Sequence, residues 1–352
     1  MDYSRDLDLV NDLMLCSRCM KREGIKAREG ECYICNGLMD KLDEIFELIK
    51  HAIKDYEFNT FLIGATIHPS ILEREDELRS RLKIKGRRSI KNEITSTLGK
   101  MLSSSINAKV SFTDPDLIIH IDLIGRFVTI NSKAIYLFGK YKKEKRGIEQ
   151  RATKCINCNG IGCHQCNFKG VIDISIESIL ADHLIQLYNA DQVKFSWIGG
   201  EDEDSLVLNK GRPFFVKIIN PRKRSIDYSS IIIKRDGVTA WFVKEASKFP
   251  DKSIRFRSKF RILADAKLDT IPDIKLDSVN VTNKHKSIKK KIYQMEITPI
   301  NDGLEIILEA ESGLPIKRFV EGNGIEPSLS ELLNTNLKCK YFDVLDVKIE
   351  EG

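Results

Sequence analysis

Residues 199–204 read Gly-Gly-Glu-Asp-Glu-Asp, four consecutive carboxylates behind two glycines in a chain whose formal net charge is +6. An ionised carboxylate can take a proton or attack an electrophilic carbon, and either act is covalent work done without a cofactor. Glycines at its flank let backbone and ligand approach closely, because no Cβ stands in the way. Arg212 and Arg222 follow downstream and are the cations expected to hold phosphates beside such an acid. Two plainer readings compete. Acidic turns are commonly solvated, and a calcium loop would draw on Asp202 and Asp204 as oxygen ligands. The calcium reading is weakened by spacing, since residues 205–210 (SLVLNK) add no further acid. A solvated turn and a carboxylate acting on a nucleic-acid substrate both stand at this level.

The cysteines carry the second chemistry. Eight of nine fall into four Cys-x-x-Cys pairs. Cys16/Cys19 and Cys32/Cys35 make one quartet; Cys155/Cys158 and Cys163/Cys166 make a second, more compressed one. Each pair offers two thiolates at the edge of a tight turn. Two pairs complete a tetrahedral Zn(II) shell with no open position, so the expected metal is structural. A short ribbon of this kind cannot bury a core alone, and metal binding supplies its folding free energy. Paired Cys-x-x-Cys spacing in a chain without a secretory signal argues for metal over disulfides; an iron–sulfur cluster is the runner-up. Gly160 and Gly162 let the backbone reverse between the second pair of knuckles. His164 is read as solvent-facing rather than as a ligand, and Cys339 as an ordinary half-buried residue.

These groups must be positioned by a chain of 352 residues with 42% hydrophobic content, enough for two or three globular domains. No run of eighteen apolar residues occurs, and the N-terminal MDYSRDLDLV is acidic and polar. The expectation is a soluble cytoplasmic protein with no membrane contact and no obligate protein partner. Basic clusters recur at 83–88 (KIKGRR), 140–146 (KYKKEKR), 222–224 and 284–291 (KHKSIKKK). Four such clusters in one chain point to a polyanion, because neutralised phosphates release counterions and drive binding. No basic helix with bulky apolar residues opposite is evident, so nucleic acid is favoured over a membrane surface.

Periodicity supplies the frame. Leu42, Ile45, Phe46, Ile49 and Ile53 recur at helical spacing after the first quartet,. Residues 60–67 (TFLIGATI) read as a buried strand, "REDELRSRLKI" and "SIKNEITSTLGKMLSS" as helices, and 109–141 as three or four strands,. Beyond the second quartet, 174–190 reads as a helix and the acidic stretch as a loop. "PFFVKIINP", "SSIIIKRDGVTAWFVKEA" and "SKFRILADAKL" read as strands, with Asp236-Gly237 as a hairpin turn. Further strands follow, and Ser328 is a possible cap for a short helix over 327–335.

The ordered motifs resemble one family. "REDELRSRLKIKGRRSIKNEITSTLGK" (74–100), "YLFGKYKKEKRGIEQ" (136–150), "CINCNGIGCHQCNFKG", "GGEDEDSLVLNKGRPFFVKIINPRKR" and "AESGLPIKRFVEGNGIEPSLSELL" (310–333) are similar to archaeal tRNA pseudouridine synthases of the Pus-ten type. The resemblance spans nearly the whole chain. It implies an α+β protein: a zinc-ribbon module and helix (1–55), a THUMP-like RNA-binding domain (56–150), a Cys-x-x-Cys connector (151–171) and a mixed, largely antiparallel pseudouridine synthase domain (172–352). It implies Asp202 as the catalytic aspartate, acting as nucleophile or as base. It implies Phe260 as the aromatic against the target base, where the family has Tyr, and Ile316 with Lys317 as a family pair, the lysine near Asp202. Leu345 is a candidate for the apolar residue beneath the base. Gly200 and Leu206 stand where the family has Arg, and Asn209 where it has Gly. Glu201, Glu203 and Asp204 are read as turn and solubility residues. The implied partner is tRNA, modified in the TΨC arm at position 55, alone or together with 54, with structural zinc and no organic cofactor. Two rivals are a catalytically degenerate RNA-binding member of the same fold and an enzyme using its cysteine-bound zinc directly; the closed four-sulfur shell disfavours the latter.

Overall fold

The computed structural model describes residues 13–168, 170–171, 174–250, 254–266, 268, 270–283 and 286–350. The acidic N-terminal decapeptide and the lysine and histidine that open the 284–291 cluster lie outside the described residues. The chain divides into two units, Met1–Lys133 with Asn220–Ser225, and Ala134–Ile219 with Ile226–Gly352.

In the first unit, β1 (Met14–Leu15) and β2 (Arg28–Glu29) flank α1 (Ser17–Glu23), and α2 (Leu42–Ile53) follows. Then come β3 (Thr60–Thr66), α3 (Pro69–Arg81), α4 (Ile90–Ser105), β4 (Lys109–Val110), β5 (Leu117–Asp122) and β6 (Phe127–Ser132). The sheet runs β4-β3-β5-β6, with β3 parallel to both neighbours and β6 antiparallel to β5. Alternation along β3 buries Phe61, Ile63 and Ala65, and α2 buries Leu42, Ile45, Ile49 and Ile53 on one face, the two periods that separate strand from helix. The first cysteine quartet shares this core with Ile34 and Met39, so packing shows no break at residue 55. Charged residues of the "REDELR" stretch turn inward. Glu75 accepts from Arg22 and from the Ile90 amide, and Arg79 holds the buried Glu23 through two hydrogen bonds of 2.8 and 3.0 Å. These ties fasten α1, which carries Cys19, to α3 and α4. The stretch is structural.

The second unit contains β7 (Ile135–Lys143), α5 (Ile176–Tyr188), β8 (Gln192–Trp197), β9 (Val207–Ile219), β10 (Ile232–Arg235), β11 (Val238–Glu245) and β12 (Phe256–Asp265). It continues with β13 (Ser278–Asn283), β14 (Lys286–Ile300), β15 (Gly303–Glu311), α6 (Ile316–Glu321), β16 (Ile325–Glu326), α7 (Leu329–Leu332) and β17 (Lys338–Ile349). Among the described residues, one sheet runs β10-β11-β7-β9-β17-β12-β15-β14-β13-β16, with β8 also on β9. Every pairing is antiparallel except β17 with β9, which meet at Val344 and Val207. The unit boundary falls before β7, not near residue 150, because β7 pairs with both β9 and β11. Four elements of this unit went unread in the sequence: β8, whose QVKFSW lies between helix and acidic loop, the strand β13, the two-residue β16 and the six-residue α6. The Asp236-Gly237 hairpin and the Ser328 cap are as expected.

Candidate active site and metal centres

The acidic loop joins β8 to β9, and it arrives where β7, β9 and β17 meet. Its four carboxylates have different fates. Glu201 is buried: it accepts from Tyr141 Oη at 2.6 Å and Gln150 Nε2 at 3.2 Å, and pairs with Arg212 Nε at 2.8 Å. Arg212 is 1% exposed and also donates to the Ile198 carbonyl at 3.0 Å. This corrects two expectations. Glu201 is no solubility residue, and Arg212 is no surface clamp for phosphate, since its charge is spent on a buried partner. Burial raises the Tyr141 hydroxyl well above its ordinary pKa, with the Glu201 charge adding to the effect. Among the described residues, Arg212 Nη2 has no hydrogen-bond partner.

Beneath the loop lies Lys143, read in the sequence as part of a phosphate-binding cluster. It is fully buried at the end of β7. Its ammonium donates to the carbonyls of Ile148 at 2.8 Å, Asp202 at 2.9 Å and Glu203 at 3.1 Å, using all three donors of the group. Desolvation lowers its pKa. Arg146 donates to the Asp204 carbonyl and grips Asp343 of β17 at 2.7 and 3.0 Å, while Asp343 accepts the Leu206 amide at 2.9 Å. The loop is therefore held by its carbonyls. At the start of β9, Asn209 adopts φ 50° and Gly211 φ 72°. A Cβ at Gly211 would stand 2.7 Å from the Tyr141 carbonyl, so that position needs glycine. Asn209, the departure from a family glycine, takes the left-handed region that asparagine tolerates best.

Asp202 is left outward, 44% exposed in its side chain. Its Oδ2 lies 2.6 Å from Lys317 Nζ on α6, a residue 47% exposed. That hydrogen bond raises the lysine's pKa. Both groups line a cavity of about 600 Å³ with Glu149–Thr153, Gly200 and the rest of the loop. A second cavity of about 550 Å³ shares Gly200 and is lined by Arg212, Phe256, Ser258, Phe260 and Lys290 among others. Phe260 is nearly buried and meets Phe342 edge-on at 5.8 Å. A register shift opposite it, where Lys259 pairs Asp346 and Phe260 pairs Val344, leaves Leu345 as an extra residue on β17; bulges of this kind re-aim side chains beside sites. Ile316 is buried at the start of α6. The structure thus gathers Asp202, Lys317, Arg212 and Phe260 around two adjoining cavities. Arg222 belongs to the other unit: the segment 220–225 packs there, its guanidinium over the Tyr56 ring at 5.4 Å. Lys143, Arg146 and Asp343 are the residues the sequence reading missed, and no local signal separates them from solvated charges.

The cysteines converge as two clusters in which all four sulfurs lie within 4.8 Å of one another. A tetrahedral Zn(II) with Zn–S of about 2.3 Å spaces its sulfurs about 3.8 Å apart. Cys16–Cys35 is 3.7 Å, Cys155–Cys163 3.9 Å and Cys158–Cys166 3.7 Å. Backbone amides point at the sulfurs, from Gly162 to Cys158 and from Gly170 to Cys166, both at 3.2 Å, as outer-shell donors to thiolates do. Gly162 has φ 104°, and a Cβ there would stand 2.7 Å from the Phe168 carbonyl. The donor sets fit zinc. Cys339 lies apart on β17, where burial pushes its thiol up to about 11.

Comparison with known proteins agrees with this layout. Residues 45–122 match the archaeal THUMP domain of Pus10, and residues 136–245 match the Pus10 C-terminal domain. The chain is 33% identical to the tRNA pseudouridine synthase Pus10 of Nitrosopumilus maritimus, over 99% of this chain and 93% of that protein. It is 31% identical to the Cenarchaeum symbiosum protein of the same name, over 95% and 86%. Against that of Methanothermobacter marburgensis it is 26% identical over 99% of both.

Proposed function

The chain belongs to the archaeal Pus10 family, and on that premise we propose that it isomerises uridine to pseudouridine in the TΨC arm of tRNA, at position 55, alone or together with 54. The observation that carries the proposal is the Asp202–Lys317 pair, 2.6 Å apart and half-exposed at a cavity, on a loop whose carbonyls are held from beneath by Lys143 and Arg146. The reaction breaks the bond from uracil N1 to C1′, turns the base, forms the C5–C1′ bond and moves a proton from C5 to N1. It needs no redox partner. Asp202 attacks C1′ or removes the C2′ proton. Lys317 orients the carboxylate through its hydrogen bond. Phe260, Leu345 and Ile316 would supply the apolar bed for an extruded base, while Arg212, buried against Glu201, holds the loop that carries Asp202. Zinc in the two cysteine clusters would hold their turns closed, and a four-sulfur shell leaves it no open position.

Incubating the purified protein with unmodified tRNA transcript and mapping pseudouridine tests this. Product at 55, alone or with 54, is expected. Tight binding without product would leave the degenerate RNA-binding reading, which Gly200 and Leu206 favour by their loss of two family arginines.

Two further outcomes arise here. Metal analysis should return close to two zinc per chain, and one or none would remove a proposed staple. Along β14, Lys289 and Lys291 lie on one face and Lys290 on the other, where its ammonium donates to the Ser312 carbonyl at 2.7 Å. Replacing Lys289 and Lys291 together by alanine should therefore weaken tRNA binding and reduce its salt slope by about two. An unchanged slope would mean that this face meets no phosphate.

A further inference from the structure

We propose that the second cysteine knuckle is itself an RNA contact, whose exposed Ile161, Ile156 and Phe168 stack on nucleobases flanking the target uridine. The inference rests on the RNA substrate proposed above. Ile161 is 90%, Ile156 86% and Phe168 65% exposed. Single exposed apolar residues are ordinary, but Ile156 and Ile161 sit within the twelve residues that four cysteine sulfurs pin, Cys155 to Cys166, and Phe168 follows two residues after the last of them. A loop that rigid cannot fold over to bury them, so they are held out at low entropic cost to a ligand. The Phe168 ring has one edge against His164, centroids 4.8 Å apart, which fixes the ring without covering it.

Position and charge choose the partner. Glu149–Thr153, the segment entering the knuckle, lines the Asp202 cavity, and the bridges Glu149–Ser175 and Lys154–Val171 root the knuckle beside it. Between Glu149 and Asp173 the sequence carries Arg151, Lys154 and Lys169 and no acid, whereas the loop on the cavity's other side carries four. Phosphates beyond the target nucleotide would find the knuckle the more favourable wall. Extruding one base also leaves its neighbours with an unstacked face, and aromatic or aliphatic side chains beside cations are how unpaired bases are taken up.

Filter binding of unmodified tRNA transcript to the full chain tests this by affinity and not by product formed. Phe168→Ala and Ile161→Ser are each expected to weaken binding by about 5- to 100-fold, the range for losing a stacked base. Phe168→Tyr should stay within about threefold of wild type, and zinc content should be the same in all. Unchanged affinity in both Phe168→Ala and Ile161→Ser would overturn the proposal, and the surface would then face a protein or solvent. Equal weakening by Phe168→Ala and Phe168→Tyr, or zinc loss with normal binding by Ile161→Ser, would also overturn it by making the role structural. A wild-type chain that binds tRNA in this way but forms no pseudouridine would sink the enzymatic reading and leave this one standing.

Discussion

Asp202→Asn should abolish pseudouridine formation to within about a thousandth of wild type while tRNA affinity holds or rises slightly. A positioned base contributes about 10²–10⁴-fold, and a nucleophile that forms the covalent intermediate leaves no bypass when removed. Binding should survive for an electrostatic reason. Asparagine removes one negative charge from a cavity wall and frees Lys317 from its partner, which makes the wall more attractive to phosphate. Stability should move by no more than about 0.5–1 kcal/mol, because the pair is half-exposed and surface ion pairs are worth little. Glu201→Gln, one residue earlier, should do the reverse. It strands Arg212 in a site where both side chains are almost wholly buried, and breaking such a pair costs about 3–5 kcal/mol. Equal thermal unfolding of wild type and Asp202→Asn, together with loss of product, separates chemistry from structure. Retained product in the asparagine variant would move the catalytic role off this loop.

That contrast also marks what the sequence could and could not express. The cysteine spacing named both clusters, because ligand spacing is local and a tetrahedral shell tolerates little variation. The helices α2, α4 and α5 and strands such as β3 were legible, since their apolar periods repeat over several turns or alternations. The strand β8 was not, for it follows a helix and runs into the acidic loop with only Val193, Phe195 and Trp197 to announce it. Charges misled most. Glu201 and Asp202 are neighbours of one type, yet only the fold decides that one is buried against Arg212 and the other faces a cavity. Lys143 and Arg146 lie in a run of basic residues that reads as solvated, and long-range pairing of β7 with β9 carries them under the loop. Arg222, twenty residues from Asp202 in sequence, packs with the other unit because the chain leaves the sheet at Asn220, where Glu57 accepts the amides of Arg224 and Ser225 at 2.6 and 2.9 Å.

Lys143→Met is expected to be nearly as damaging as the loss of Asp202, for a different reason. The ammonium is the common partner of three carbonyls, and two of them belong to Asp202 and Glu203. Methionine keeps the apolar stem and shape but leaves the Asp202 carbonyl with the Ser205 amide at 3.0 Å and the Glu203 carbonyl with the Gly147 amide at 2.9 Å in place of two donors each, and each lost hydrogen bond to a charged group costs about 1.5–3 kcal/mol. The loop relieves that cost by turning its carbonyls toward water, and the turn moves the Asp202 carboxylate. A displacement of about 1 Å is enough to cost about a hundredfold in rate. The expected result is therefore a kcat lowered by about a hundredfold with KM for tRNA nearly unchanged, in a chain that keeps its zinc. Arg146→Met, which removes one loop carbonyl's partner and the Asp343 pair, should cost less, about tenfold, because Arg146 is a third exposed and water can replace part of what it gives. A Lys143→Met chain that folds, retains zinc and turns over within about threefold of wild type would show that the buried ammonium only fills space, and that the carboxylate's position is set from the α6 side by Lys317.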